Sequence, residues 1–326
     1  MSLGLLLPHA GDTDPAALAV RAEEWGYESV WTGELWGRSS VVGLTEIAVR
    51  TDDIGLGSAI LNVFSRSPAV LAMTAATLDD VSEGRFTLGV GTSTPKAVED
   101  LHGMAFERPV RRAHECIELT KALLEGEEPT NYDGELFHAA DVPPLDAEVP
   151  VYHAALGPAN RRVVGRLCEG WLPHNVPFPD LGDAFEEVAE AARGAGRDPE
   201  DITVAPYVPA VVAEDPEEAR DAIRDHVAYY VGSGEGYRKA VASRFPEAAE
   251  RVASAWRGGG REEATGAVTD EMIAALGVAG RPDEARAQLR ELVEASTIDR
   301  PLVVVPNQVD ETLGERTVEA LAPERL

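Results

Sequence analysis

The residues most able to do chemistry lie between positions 150 and 172. An apolar strand pattern, Val151 to Ala154, stops at Ala155, Leu156 and Gly157, and an amphipathic helix pattern begins at once with Pro158, Ala159 and Asn160. Glycine at such a junction leaves the backbone N–H groups uncovered by a side chain. Proline suits the first helical position, where its missing donor costs nothing. A strand feeding a bare helix start attracts phosphate through orphan N–H groups and the helix dipole. An ordinary strand-to-helix turn reads the same way, so this junction gains weight only from what surrounds it.

Other strand ends add polar and small residues. After Ser29–Thr32 come Gly33, Glu34, Leu35 and Trp36. Glu34 offers a carboxylate able to hold or relay a proton, or equally a helix cap; Trp36 offers a face to cover a planar ligand. Gly57, Ser58 and Ala59 followed by Ile60 and Leu61 suit a backbone pressed against a flat ring, and Asn62 supplies both donor and acceptor for a heterocycle's edge. Gly89, Val90, Gly91 and Thr92 form another small, polar strand end, although Gly-x-Gly alone is weak evidence of a nucleotide site. His9, His153 and His174 each follow a strand core, where a lone histidine is more often structural than catalytic.

These residues need elements to carry them. Apolar runs at 3–7, 29–32, 54–58, 85–90, 151–154, 170–175, 202–212 and 301–305 read as strands buried on both faces. Amphipathic stretches at 15–25, 41–49, 68–81, 108–124, 158–167 and 181–193, with others from Pro216 and Glu311, read as helices. Eight β–α alternations predict an α/β fold, a (β/α)8 TIM barrel whose chemistry sits in the loops after the strands. A doubly wound open sheet is the alternative. Residues 125–149 read as a small hairpin excursion. Residues 216–296 read as a helical insertion before the last strand, broken at Gly232–Gly234 and Gly258–Gly260 and placed as a lid or a packing pair. Residues 1–326 form one domain, with no repeat or linker.

Composition narrows the partners. Asp and Glu number 57 against 29 Lys and Arg, a net charge of −28, and lysine occurs only at Lys96, Lys121 and Lys239. No basic stripe exists to neutralise nucleic-acid phosphates. The acids are spread over helix faces, a pattern suited to a halophilic cytoplasm where salt screens self-repulsion. No apolar run is long enough to span a membrane, and the N-terminus lacks a signal-peptide pattern. Cys116 and Cys168 fall in helical patterns and read as reduced core thiols of a cytoplasmic protein. The seven histidines show no paired metal-ligand spacing.

Four segments in this order, 30–34, 60–68, 84–91 and 155–170, resemble the bacterial-luciferase-like superfamily. Within it they are most similar to the coenzyme F420-dependent branch that includes methylenetetrahydromethanopterin reductase. The resemblance implies an oxidoreductase that moves a hydride between the deazaflavin and a small organic substrate, a methylenetetrahydropterin among the candidates. It implies a non-proline cis peptide at Ala59–Ile60 backing the ring, with Asn62, Gly91 and Thr92 beside it. Main-chain donors within Leu156 through Asn160, namely those of Leu156, Gly157, Ala159 and Asn160, would hold the phosphate, with Ala155 before them and Pro158 starting the helix. Glu34 maps to the family acid, Trp36 and His9 fall on the substrate side, and a dimer or higher oligomer is implied. Leu35 stands where many relatives carry histidine, and Asn62-Val63-Phe64 replaces a common Asn-Pro-Tyr. Two alternatives therefore stay open: an FMN-dependent monooxygenase, and a non-catalytic binder of flavin or deazaflavin.

Overall fold

A computed structural model describes residues 2–8, 14–126, 128–294 and 297–326. Among these residues thirteen strands are formed: β1 (Gly4–Leu6), β2 (Ser29–Thr32), β3 (Gly55–Ser58), β4 (Leu61–Asn62), β5 (Phe86–Gly91), β6 (Thr130–Asp133), β7 (His138–Val142), β8 (Val151–Ala154), β9 (Gly170–Trp171), β10 (Thr203–Val204), β11 (Tyr207–Val212), β12 (Val278–Gly280) and β13 (Leu302–Val304). Between them run α1 (Pro15–Glu24), α2 (Ser40–Arg50), α3 (Pro68–Val81), α4 (Pro109–Glu125), α5 (Pro158–Leu167), α6 (Leu181–Gly194), α7 (Pro216–Ser233), α8 (Glu235–Ala242), α9 (Pro246–Arg257), α10 (Arg261–Gly266), α11 (Asp270–Leu276), α12 (Pro282–Glu294) and α13 (Glu311–Ala320).

The strands build a curled parallel sheet in the order β10-β9-β8-β5-β3-β2-β1-β13-β11-β12, with β4 paired to β5. Every ladder in it is parallel, and the helices cover its outer face. Buried on both sides, these strands are made of continuous apolar residues; Leu5, Val30, Leu56, Leu88, Val151 and Val303 are all fully enclosed. Helix starts follow from sequence: Asp14, Ser67, Asp215, Thr269 and Asp310 accept backbone N–H bonds at the first turns of α1, α3, α7, α11 and α13. The excursion at 125–149 is the expected hairpin, β6 against β7.

Two expectations change. The strand read at 170–175 forms ladder pairs only at Gly170 and Trp171; the chain then turns, with Asn175 at a left-handed φ of 57°. The segment 216–296 is not purely helical, since β12 pairs in parallel with Ala210–Val212. Three residues between α11 and α12 are too few for a period to register.

Candidate functional site

The peptide bond Ala59–Ile60 is cis. Around it the chain is tightly built. Ser58 Oγ donates to the Gly89 carbonyl (2.8 Å) and accepts the Gly89 N–H (2.9 Å), locking β3 to β5. A Cβ on Gly89 would lie 1.8 Å from the Ser58 oxygen, so no side chain fits there. Gly91 lies against Ile60, its Cβ position 3.0 Å from Ile60 Cγ1 and 3.3 Å from Ala154 Cβ. Gly33 approaches from the other side, its Cβ position 2.7 Å from the Ala59 oxygen. The ends of β2, β3, β5 and β8 thus meet in one patch of glycine, alanine and isoleucine. Ala59 and Ile60 belong to the same apolar cluster as Trp31, Tyr152, Leu172 and Tyr207.

Asn62 takes a different part from the one expected. Its Oδ1 accepts the N–H groups of Phe64 (3.0 Å) and Ser65 (2.7 Å), and its Nδ2 lies 3.2 Å from His102 Nε2. The carboxamide is engaged in folding its own loop and anchoring the residue that ends the π-helical stretch Ala97–Leu101.

Glu34 is half-buried on the loop after β2. One carboxylate oxygen bonds Arg66 and the other accepts the Ser40 N–H (3.2 Å), capping α2 where Ser39 supplies no side-chain cap. Burial pushes the Glu34 carboxyl up, but the hydrogen bond and charge of Arg66, with the Ser40 N–H, outweigh it and hold the carboxyl below its usual range. At neutral pH it is an acceptor, not a proton donor. Trp36 stands farther along this loop, 42% exposed. His9 lies outside the described residues.

The β8–α5 junction is as bare as its sequence suggested. Gly157 is extended (φ −94°, ψ 160°), no side chain caps α5, and nothing stands within 4 Å of a Cβ built on Gly157. Beneath it His153 is fully buried; its Nδ1 donates to the Val90 carbonyl (3.1 Å), which leaves Nε2 as an acceptor. Burial lowers its pKa, so the ring is neutral. His153 Nε2 and Asn160 Oδ1 are both buried, and the Asn160 carboxamide is the side-chain neighbour that faces the His153 ring.

Two groups have partners that the sequence does not disclose. Arg66 lay in a recognised segment without a role, and no local pattern could pair it with Glu34. His174 was noted alone, yet its ring sits among Tyr207, Tyr230 and Tyr237 at centroid distances of 4.8, 4.4 and 5.1 Å. The i,i+4 spacing of His226 and Tyr230 on α7 was the one available signal. A cleft of about 750 Å³ near Arg251, Ser254 and Glu263 lies on α9 and α10 and includes none of these residues.

The luciferase-like monooxygenase family profile matches residues 9–300. The chain is 32% identical over 319 residues to 5,10-methylenetetrahydromethanopterin reductase of Methanopyrus kandleri, covering 90% of each chain. It is 30% identical over 286 residues to the enzyme of that name from Methanolobus tindarius, covering 86% of each. The solved structure of coenzyme F420-dependent tetrahydromethanopterin reductase from Methanopyrus kandleri superposes with a TM-score of 0.83 at 29% identity, covering 99% of this chain and 97% of that one.

Proposed function

The chain belongs to the luciferase-like monooxygenase family, and on that premise we propose that it is a coenzyme F420-dependent oxidoreductase. It transfers a hydride between the deazaflavin and a small organic substrate, with a methylenetetrahydropterin the first candidate. The observation that carries this reading is the uncapped start of α5 beside the small residues that pack around Ala59 and Ile60. Both features fit the cofactor: the uncapped N–H groups at the open Gly157 cradle suit its anionic tail, and Gly33 and Gly91 let β2 and β5 pack directly on the Ala59–Ile60 backbone that would support the ring.

In this reading the main chain of Ala155, Leu156, Gly157, Ala159 and Asn160 binds the phosphate, with Pro158 fixing the helix start. Ala59 and Ile60 back the ring, Gly91 and Thr92 flank it, and Asn62 shapes the loop that holds them. Glu34 and Arg66 form an ionised pair at the mouth, and Trp36 and His9 border the substrate. Bound there, the deazaflavin supplies the hydride; the protein orients the ring and excludes water.

Closure into a (β/α)8 barrel is supported by the run 203–212. Its Ala205 and Tyr207 N–H groups bond Trp171 and Pro173 on one side, while Leu302 donates to Pro206 on the other. The segment 216–296 is then an insertion into one domain spanning 1–326. We further read the protein as cytoplasmic and adapted to high salt, and as a homodimer or higher oligomer. Buried reduced Cys116 and Cys168 support the first reading, and the acidic surface supports the second. No helix among the described residues is long and apolar enough to cross a membrane.

The test is a titration of the purified protein with coenzyme F420 and, separately, FMN. Micromolar or tighter binding of F420, with FMN at least tenfold weaker, is expected. Preference for FMN, with oxygen consumption, would replace this assignment by a monooxygenase. Binding of F420 without hydride transfer to any acceptor would leave a carrier protein.

A further inference from the structure

The mouth of the sheet has a second wall that no assigned role uses. His174 and Asn175 follow β9, Tyr207 opens β11, His226 and Tyr230 lie one turn apart on α7, and Tyr237 lies on α8. Their rings form one connected group: His174 to Tyr230 at 4.4 Å, His226 to Tyr230 at 4.7 Å, Tyr230 to Tyr237 at 5.0 Å. His174, Asn175 and His226 are 8, 5 and 4% exposed, yet His174 Nε2, His226 Nε2 and both Asn175 carboxamide atoms have no hydrogen-bond partner. Two unmet ring nitrogens in the aromatic cluster, with two unmet carboxamide atoms on the residue that follows His174, are costly to a fold unless a ligand meets them.

The cluster is placed to meet one. Tyr207 shares the interior apolar cluster with Ala59 and Ile60, so the wall is continuous with the cis bond. At its other end α8 approaches the α5 cradle, a Cβ on Gly236 falling 3.4 Å from Leu156 Cδ1. The wall is electrically neutral. Burial lowers both imidazoles, that of His226 to about 4, and raises the three phenols, that of Tyr237 to about 12.

We propose that His174, Asn175, Tyr207, His226, Tyr230 and Tyr237 form the substrate subsite, and that this wall selects an uncharged planar heterocycle over an anionic one. Aromatic faces stack on the ring, while the imidazole and carboxamide offer donors and acceptors without charge. A carboxylate or phosphate entering the wall would lose its hydration and find no cation among its six residues. The proposal rests on the oxidoreductase reading for its location, so the test separates the two.

Calorimetric titration of the full chain, with and without coenzyme F420, uses 6-hydroxymethylpterin and pterin-6-carboxylate, which differ by one charge on a shared ring. Measurements in 1 M KCl, where the screening length is roughly 3 Å, remove repulsion by the acidic surface. The neutral pterin is expected to bind at least tenfold tighter than the carboxylate. His174→Phe should weaken the neutral pterin at least tenfold and leave F420 affinity within twofold; Tyr230→Phe, which removes only a hydroxyl, should weaken it about threefold and guards against misfolding of the first variant. Equal binding of the two pterins, no binding of either, or unchanged binding in a folded variant would overturn the wall. F420 affinity falling in step with pterin affinity would overturn it too, by making His174 structural. Failure of F420 alone, with pterin selection intact, would count against the cofactor assignment and for the wall.

Discussion

A carboxylate at a strand end invites assignment as a proton carrier, but its neighbours decide. Glu34 faces Arg66 with one oxygen and the Ser40 N–H with the other. A group held ionised in this way has its folded pKa below the ordinary value of 4.5. Its contribution to stability is therefore complete above about pH 4.5 and is lost as pH falls through the lower folded value. In the range where a reductase works, Glu34 binds no proton to give. Glu34→Gln should then slow turnover by about 100-fold, as loss of one fixed charge near a reacting group does, by leaving Arg66 without its partner. The pH–rate profile between pH 5 and 9 should keep its shape. A limb present in the wild type and absent from the variant would show that Glu34 titrates during the reaction.

At the scale of the element, α5 tests the anion cradle because stability and binding pull in opposite directions there. Gly157 is extended and exposed, a backbone conformation open to any residue. Gly157→Asp places a capping carboxylate on free N–H groups, which stabilises a helix start by a few tenths of a kcal/mol relative to glycine. The same carboxylate occupies the donors that a phosphate needs. The melting temperature is expected to hold or rise while F420 affinity falls at least tenfold; a variant with undiminished affinity would move the anion elsewhere. This element also shows what a sequence can disclose. The helix 158–167 and the strand 151–154 were legible to the residue, since apolar period, proline and glycine act locally. So was the patch at 57–60, because small residues before bulky ones mark a close backbone approach. The Glu34–Arg66 pair and the wall around His174 were not. Positions 174, 207, 226, 230 and 237 come together only through sheet order and the docking of α7 and α8, which no local pattern encodes. Asn62 was legible as a polar strand end, but its engagement by Phe64, Ser65 and His102 depends on how the next loop folds.

For the whole molecule, net charge and a set of exposed apolar side chains pull against each other. A chain carrying −28 repels its own copies. Yet α3 has no charged residue from Pro68 to Leu78, and α2 packs beside it. Val42 and Val49 on α2 are 70 and 68% exposed, and Met73 on α3 is 51% exposed. Apolar side chains on neighbouring helices suit a contact surface, and a second copy of this chain is the partner that the proposed oligomer would bring to it. Pairing two copies requires their repulsion to be screened, over about 10 Å at 0.1 M salt and about 3 Å at 1 M. Hydrophobic association through this face persists at high salt, whereas contacts held by ion pairs weaken. Sedimentation equilibrium should accordingly show the dimer fraction rising between 0.1 and 1 M KCl. Met73→Glu should suppress that rise without lowering F420 affinity, because α3 lies on the outside of the sheet, away from the strand ends. A dimer that dissolves as salt increases, or one that Met73→Glu leaves intact, would place the interface on the charged helices instead.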